Sequence, residues 1–120
     1  MTRVASDSPP ERRRPYPSLP ARHDYRRVLD SGRRRKRGPV TVVAAPGATE
    51  HTRVGLVAGR GIGDAVRRNR ARRRVRAALL ELDLPTRTDV VVIISVEALA
   101  LPYRQLVADL RGAIEEKSRV

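Results

Sequence analysis

In "DVVVIIS", positions 89–95, apolar residues follow one another for the length of a strand without a polar break. That is the pattern of a strand covered on both faces, and it places this segment at the centre of a sheet. "VTVVAA" (40–45) and "TRVGLVA" (52–58) are β-branched-rich runs joined by the turn-forming "PGATEH", and they read as a pair of sheet strands. Elsewhere the spacing is helical. In "ARHDYRRVLDS" (21–31), Tyr25, Val28 and Leu29 share one face and Gly32 supplies a stop. Tyr103, Leu106, Val107, Leu110 and Ile114 form the stripe of a last helix, with Pro102 at its first turn. Between the strands, Ala71, Val75, Ala78, Leu79 and Leu82 mark one face of a helix that starts after Asp64, read as its N-cap.

The remaining segments carry no period. Residues 1–18 hold prolines at 9, 10, 15 and 17 and are expected to be a flexible basic tail. "RRRKR" (33–37) reads as an exposed cationic turn. The pattern gives one small α+β domain over residues 19–116, with three helices on a mixed sheet of three to four strands, and residues 117–120 as a C-terminal end. At 120 residues the chain has room for a single core.

Charge changes the picture most. Twenty-six Lys and Arg stand against 13 Asp and Glu, a net charge of +13, which calls for a polyanionic partner. Residues 90–101 are too short for a membrane span and are broken by Glu97, so nucleic acid is favoured over a membrane. No signal-peptide pattern opens the chain, and a cytoplasmic location is expected. Cysteine is absent and His23 and His51 stand alone, which excludes disulfides and a zinc site. His23-Asp24 reads as a solvated helix surface, and no catalytic residues are assigned.

The chemistry is concentrated in "GRGIGDAVRRNRARRRVR" (59–76). Its glycines fit neither phosphate-binding pattern: Gly63 is followed by Asp64 and Ala65 where a P-loop needs Lys and Ser or Thr, and Asp64 stands where the dinucleotide fingerprint needs Gly or Ala. The arginines carry the signal instead. A merely solvated face would intersperse both signs, yet no acid occurs between Asp64 and Glu81. Arg73, Arg76, Asn69 and Arg70 project away from the apolar face, flanked by Arg67 and Arg74. Guanidinium forks suit phosphate, and Asn69 adds a donor and an acceptor for a base edge, a ribose hydroxyl or a network. From the residues alone, an RNA-binding scaffold of ribosomal-protein type, an RNA chaperone and a DNA-binding module all stay open, and a self-sufficient nuclease ranks last.

The stretch 53–76 resembles the signature of the bacterial ribonuclease P protein subunit: a strand, a basic loop, Gly-x-Ala-Val, then Arg-Asn-Arg and further cations. Gly63, Ala65, Val66, Arg68, Asn69, Arg70, Arg72, Arg73 and Arg76 match it without a gap. "DYRRVLDSG" is similar to the family's first helix, and "DVVVII" with "YRQLVADL" to its last strand and helix. The resemblance implies a ribosomal-protein-like domain with a left-handed βαβ crossover. It also implies a catalytic RNA subunit as partner, which removes the 5′ leader of precursor tRNA hydrolytically with Mg2+ held through the RNA. No protein partner is required. Arg60, Arg67, Arg68, Asn69, Arg70, Arg72, Arg73 and Arg76 are then expected to bind RNA. A cleft between first helix and sheet, with Tyr25, Arg22, Val40 and Val42, would take the leader, and Arg33, Arg34, Arg35, Lys36 and Arg37 would form a secondary basic patch. The chain departs from the family at Gly59 and Gly61, where the loop usually reads Ser-Lys-Lys, at Asp64, and at Ser95, where arginine is common.

Overall fold

A computed structural model of the chain describes residues 16–117. In chain order the elements are α1 (Arg22–Ser31), β1 (Arg33–Arg37), β2 (Val40–Pro46), β3 (Arg53–Ala58), α2 (Ala65–Leu79), β4 (Thr88–Ile94) and α3 (Tyr103–Lys117), with 3-10 turns at Arg60–Ile62 and Val96–Leu99. The four strands lie in the order β1-β2-β4-β3. β4 runs antiparallel to β2 and parallel to β3, so Val91 sits opposite Val43 on one side and Gly55 on the other. The apolar run is central, as its pattern requires. β2 and β3 are therefore not neighbours, contrary to the pairing their short connection suggested: β4 is inserted between them.

Strand parity divides the core. Val40, Val42, Val90, Val92 and Ile94 pack beneath α2 and α3, against residues such as Ala71, Val75, Leu106 and Leu110. Val43, Ala45 and Val91 face the other way and meet Val28 of α1 and Leu19. Full burial of a side chain such as Leu106 or Leu110 contributes about 1.5–3 kcal/mol.

Residues 33–37 form a strand rather than a turn. Arg33 pairs with Ala44 and Arg37 with Val40, so β1 is the antiparallel edge of the sheet. A strand of five cations has no apolar alternation, and its place comes from the β2 ladder and from packing against α3. The charges also discourage a second chain from pairing with this edge.

The other edge is covered from the N-terminal side. The expected tail is described only from Tyr16, and there it is docked: the Val54 amide donates to the Pro17 carbonyl at 2.8 Å, and the Leu19 amide to the Val54 carbonyl at 3.2 Å. The Tyr16 hydroxyl donates to the Leu82 carbonyl, tying this segment to the end of α2. Residues 1–15 lie outside the described residues.

Buried charge fixes α1 to the sheet. Asp89 is fully buried at the start of β4 and accepts from Arg53 Nε at 3.0 Å and Nη2 at 2.8 Å, and from Arg27 of α1. Arg53 also reaches Asp24 of α1 at 3.4 Å. Asp24 is thus a buried partner of the sheet rather than part of a solvated surface, while its neighbour His23 is exposed.

Candidate RNA-binding surface

The basic helix is positioned by its entry turn. After β3 the chain makes a 3-10 turn and reaches Gly63 at φ +127, a backbone region that favours glycine. Asp64 then caps α2, its Oδ1 accepting from the Arg67 amide at 3.0 Å. A cap here satisfies a helix amide with the chain's own carboxylate, so that end of α2 is already served.

Beyond the cap, the sequence divides α2 by face. Ala71, Val75, Ala78 and Leu79 are buried on the sheet, and Arg74 is drawn in with them, donating to the carbonyls of Leu99 at 3.3 Å and Leu101 at 2.7 Å. Arg74 is thereby an anchor for the connection into α3. Asn69, Arg70 and Arg73 are exposed, and Arg76 and Arg72 are half-buried. Helical periodicity places Asn69, Arg70, Arg73 and Arg76 on the side away from the sheet, together with Val66, which is 72% exposed.

Two hydrogen bonds order this surface before any partner arrives. Asn69 Oδ1 accepts from Arg72 Nη1 at 2.9 Å, so the asparagine serves a network. Arg68 Nη1 donates to the Gly63 carbonyl at 2.6 Å, folding back over the entry turn. Arg67 is exposed at the same turn, and Arg60 lies in the 3-10 turn before it. The residues expected to bind RNA thus fall on one helix and its entry turn.

The cleft residues do not fall together. Tyr25 lies half-buried over β3, so close that a Cβ at Gly55 would meet its ring carbons at 2.5 and 2.6 Å. Arg22 is exposed one turn earlier on α1. Val40 and Val42, however, point to the opposite face, into the core under α2 and α3. The residues that share the Tyr25 side are Leu29, Val57 and Ile93, all half-buried, around Val43 and Val91. Leu29 already shares the Tyr25 face in the sequence, but the strand residues were missed because the strands are apolar on both faces and no alternation marks which positions look toward α1.

The basic patch splits in the same way. Arg34 donates to the Leu29 carbonyl at 3.2 Å, which puts it on the α1 side. Strand alternation sends Arg33, Arg35 and Arg37 to the other face, with Arg37 beside Gly112 of α3. At the far end of β4, Ser95 Oγ donates to Glu97 Oε1 at 2.6 Å. That bond, followed by a weaker attraction to Lys36, holds the Glu97 carboxyl below its ordinary value. A carboxylate therefore stands beside the position where the resemblance called for a cation.

Among the described residues no three His, Cys, Asp or Glu side chains gather where they could hold a metal ion, and no helix is long and apolar enough to cross a membrane. Asp24 and Asp89 are occupied by arginines.

The fold and this surface define a small α+β domain whose central helix carries an exposed row of arginines. The family model of Ribonuclease P matches residues 16–118, and the chain belongs to that family. The ribonuclease P protein component of Chloroflexus aggregans is 44% identical over 89 residues, 72% of this chain and 66% of that protein. The component of Roseiflexus sp. is 38% identical over 94 residues, covering 76% of this chain and 77% of its own length. Among solved structures, the RNase P protein from Thermotoga maritima superimposes with a TM-score of 0.73 at 23% identity, over 82% of this chain and 96% of that one. An RNase P protein structure from Staphylococcus aureus gives 0.72 at 20% identity, over 86% and 95%. These structural likenesses establish the fold.

Proposed function

We propose that this chain is the protein subunit of ribonuclease P, assisting a catalytic RNA in removing the 5′ leader from precursor tRNA in the cytoplasm. The observation that carries the proposal is the α2 surface: Asn69, Arg70 and Arg73 exposed on one ordered helix inside the stretch that matches the family. Its part is electrostatic. Guanidinium groups on α2 neutralise phosphates of the catalytic RNA, each neutralised phosphate releasing about one counterion. The cleft between α1 and the upper sheet takes the single-stranded leader, with Tyr25 as its aromatic platform and Arg22 at its mouth. Magnesium belongs to the RNA, and no step of the proposal runs through a protein side chain as acid, base or metal ligand.

Precursor-tRNA cleavage by a bacterial ribonuclease P RNA at low magnesium, with and without this protein, tests the proposal. Stimulation by the protein is expected. No stimulation together with intact RNA binding would leave an RNA-binding scaffold without a role in cleavage. Replacing Arg68, Asn69 and Arg70 with alanine is expected to weaken binding to the catalytic RNA and to flatten its log-log salt dependence by about 0.7–0.9 for each phosphate that is no longer neutralised. An unchanged slope would place the interface elsewhere.

A further inference from the structure

Arg33 and Arg87 line one groove at the end of the sheet opposite the α2 entry turn. The strand registers fix this: Arg33 pairs with Ala44, and Thr88 with Pro46, whereas Ala58, leading into that turn, pairs with Ile94 at the other end. Between the two arginines lies a groove of about 510 Å3, lined by Ser31, Arg33, Ala44, Pro46, Arg87 and Thr88. Arg87 has φ 58, a conformation that a residue other than glycine seldom adopts. Its backbone is pinned there from both sides, its amide donating to the Glu50 carbonyl at 3.1 Å and its carbonyl accepting from the Gly47 amide at 2.8 Å. A long cationic side chain thus stands where glycine would fit the backbone better.

Neither cation is neutralised inside the fold. The Arg33 side chain makes no hydrogen bond or ion pair among the described residues, and the carboxylate paired with Arg87, Glu50, is 4.0 Å away with both side chains mostly in solvent. Such a pair is screened and weak. The groove hydroxyls are turned to the backbone, Ser31 to the Arg27 carbonyl and Thr88 to the Thr86 carbonyl. What the groove offers is two positive charges on the lining of one open channel. That suits an extended chain of phosphates better than a single small anion.

We propose that the Arg33–Arg87 groove is a second RNA site, clamping a sugar-phosphate strand at the end of the sheet remote from the α2 entry turn. It goes beyond the proposed function and rests on it only for the choice of probe. The test compares the full chain with an Arg33→Gln, Arg87→Gly variant, measuring binding to a bacterial ribonuclease P RNA across a KCl series. The variant is expected to show a log-log salt slope shallower by about 1.4–1.8, corresponding to two phosphates. Its melting temperature should stay level or rise, because glycine accepts the backbone at 87. Arg33→Gln alone is expected to show about half that change in slope, and it carries the test if the double variant melts early. The change should add to that of the α2 alanine variant, since distant sites act independently. An unchanged slope beside a reduced one for the α2 variant overturns the groove and leaves the proposed function standing. Unchanged slopes for both overturn both. A loss confined to binding of phosphatidylglycerol vesicles would overturn the RNA assignment in favour of a lipid surface.

Discussion

Gly55 decides where Tyr25 lies. With no Cβ at 55 the tyrosine ring rests on the β3 backbone, and an alanine there would overlap it. Gly55→Ala is expected to push the ring out of place, costing about 1–3 kcal/mol in stability and weakening the binding of leader-bearing tRNA more than that of mature tRNA. Paired binding measurements on the two substrates check this, and equal weakening would count against the cleft. Gly59 and Gly61 are different. A Cβ at either would meet nothing within 4 Å, so their replacement is sterically free. Gly59→Ser with Gly61→Lys is therefore expected to fold unchanged and to tighten binding to the catalytic RNA, read as a salt dependence steeper by about one phosphate. Asp64 was legible as a cap because an acidic residue before a helical run has a local role. The Asn69–Arg72 bond was not, since either side chain could equally have reached solvent.

The elements with a clear period were legible, and those whose structure depends on a partner were not. α1, α2, α3 and the central strand each carry their own apolar pattern. β1 carries none, because an edge strand can be held by the β2 ladder and by packing of arginine stems against α3 without apolar side chains of its own. The order of the strands was hidden for a related reason: a short loop between β2 and β3 suits a hairpin, and only the distant β4 displaces it. Parity in β2 was hidden because both of its faces are covered. The ion network at Asp89 joins α1, β3 and β4, and its arginines hold the carboxyl below the ordinary carboxylate value, chiefly through the Arg53 hydrogen bonds. A carboxyl depressed in the folded state contributes stability that is complete above its unfolded value, near pH 4, and is lost as the pH falls through the folded value. Urea unfolding should therefore show a fall in stability below about pH 4, and Asp89→Asn should flatten that fall. At neutral pH the same variant is expected to cost about 3–5 kcal/mol, because Arg53 and Arg27 lose their buried counter-charge.

For the whole molecule, the N-terminal segment is part of the fold. Removing residues 1–18 strips the Pro17 bond from Val54 and the Tyr16 bond from Leu82. That truncation is expected to cost about 1–3 kcal/mol and to expose the β3 edge to other chains. Thermal melts with size-exclusion chromatography check both effects. The excess charge of +13 is not uniform in use, either. Arg27, Arg53 and Arg74 bind the fold together, while the α2 entry turn and the Arg33–Arg87 groove display their charge at opposite ends of the sheet.

The insertion of β4 between β2 and β3 sets an order of events during synthesis. Both neighbours of β4 leave the ribosome long before it does, and neither can pair with the other in the native sheet. The β1–β2 hairpin is local, but the sheet closes only when residues 88–94 arrive, so the remaining native pairings of β2 and β3 are non-local ones that must wait for loop closure. Until then a strongly basic, half-made chain stands beside the ribosome's own RNA. Synthesis slowed between β3 and β4 would lengthen that exposure, and synthesis carried quickly through β4 would end it.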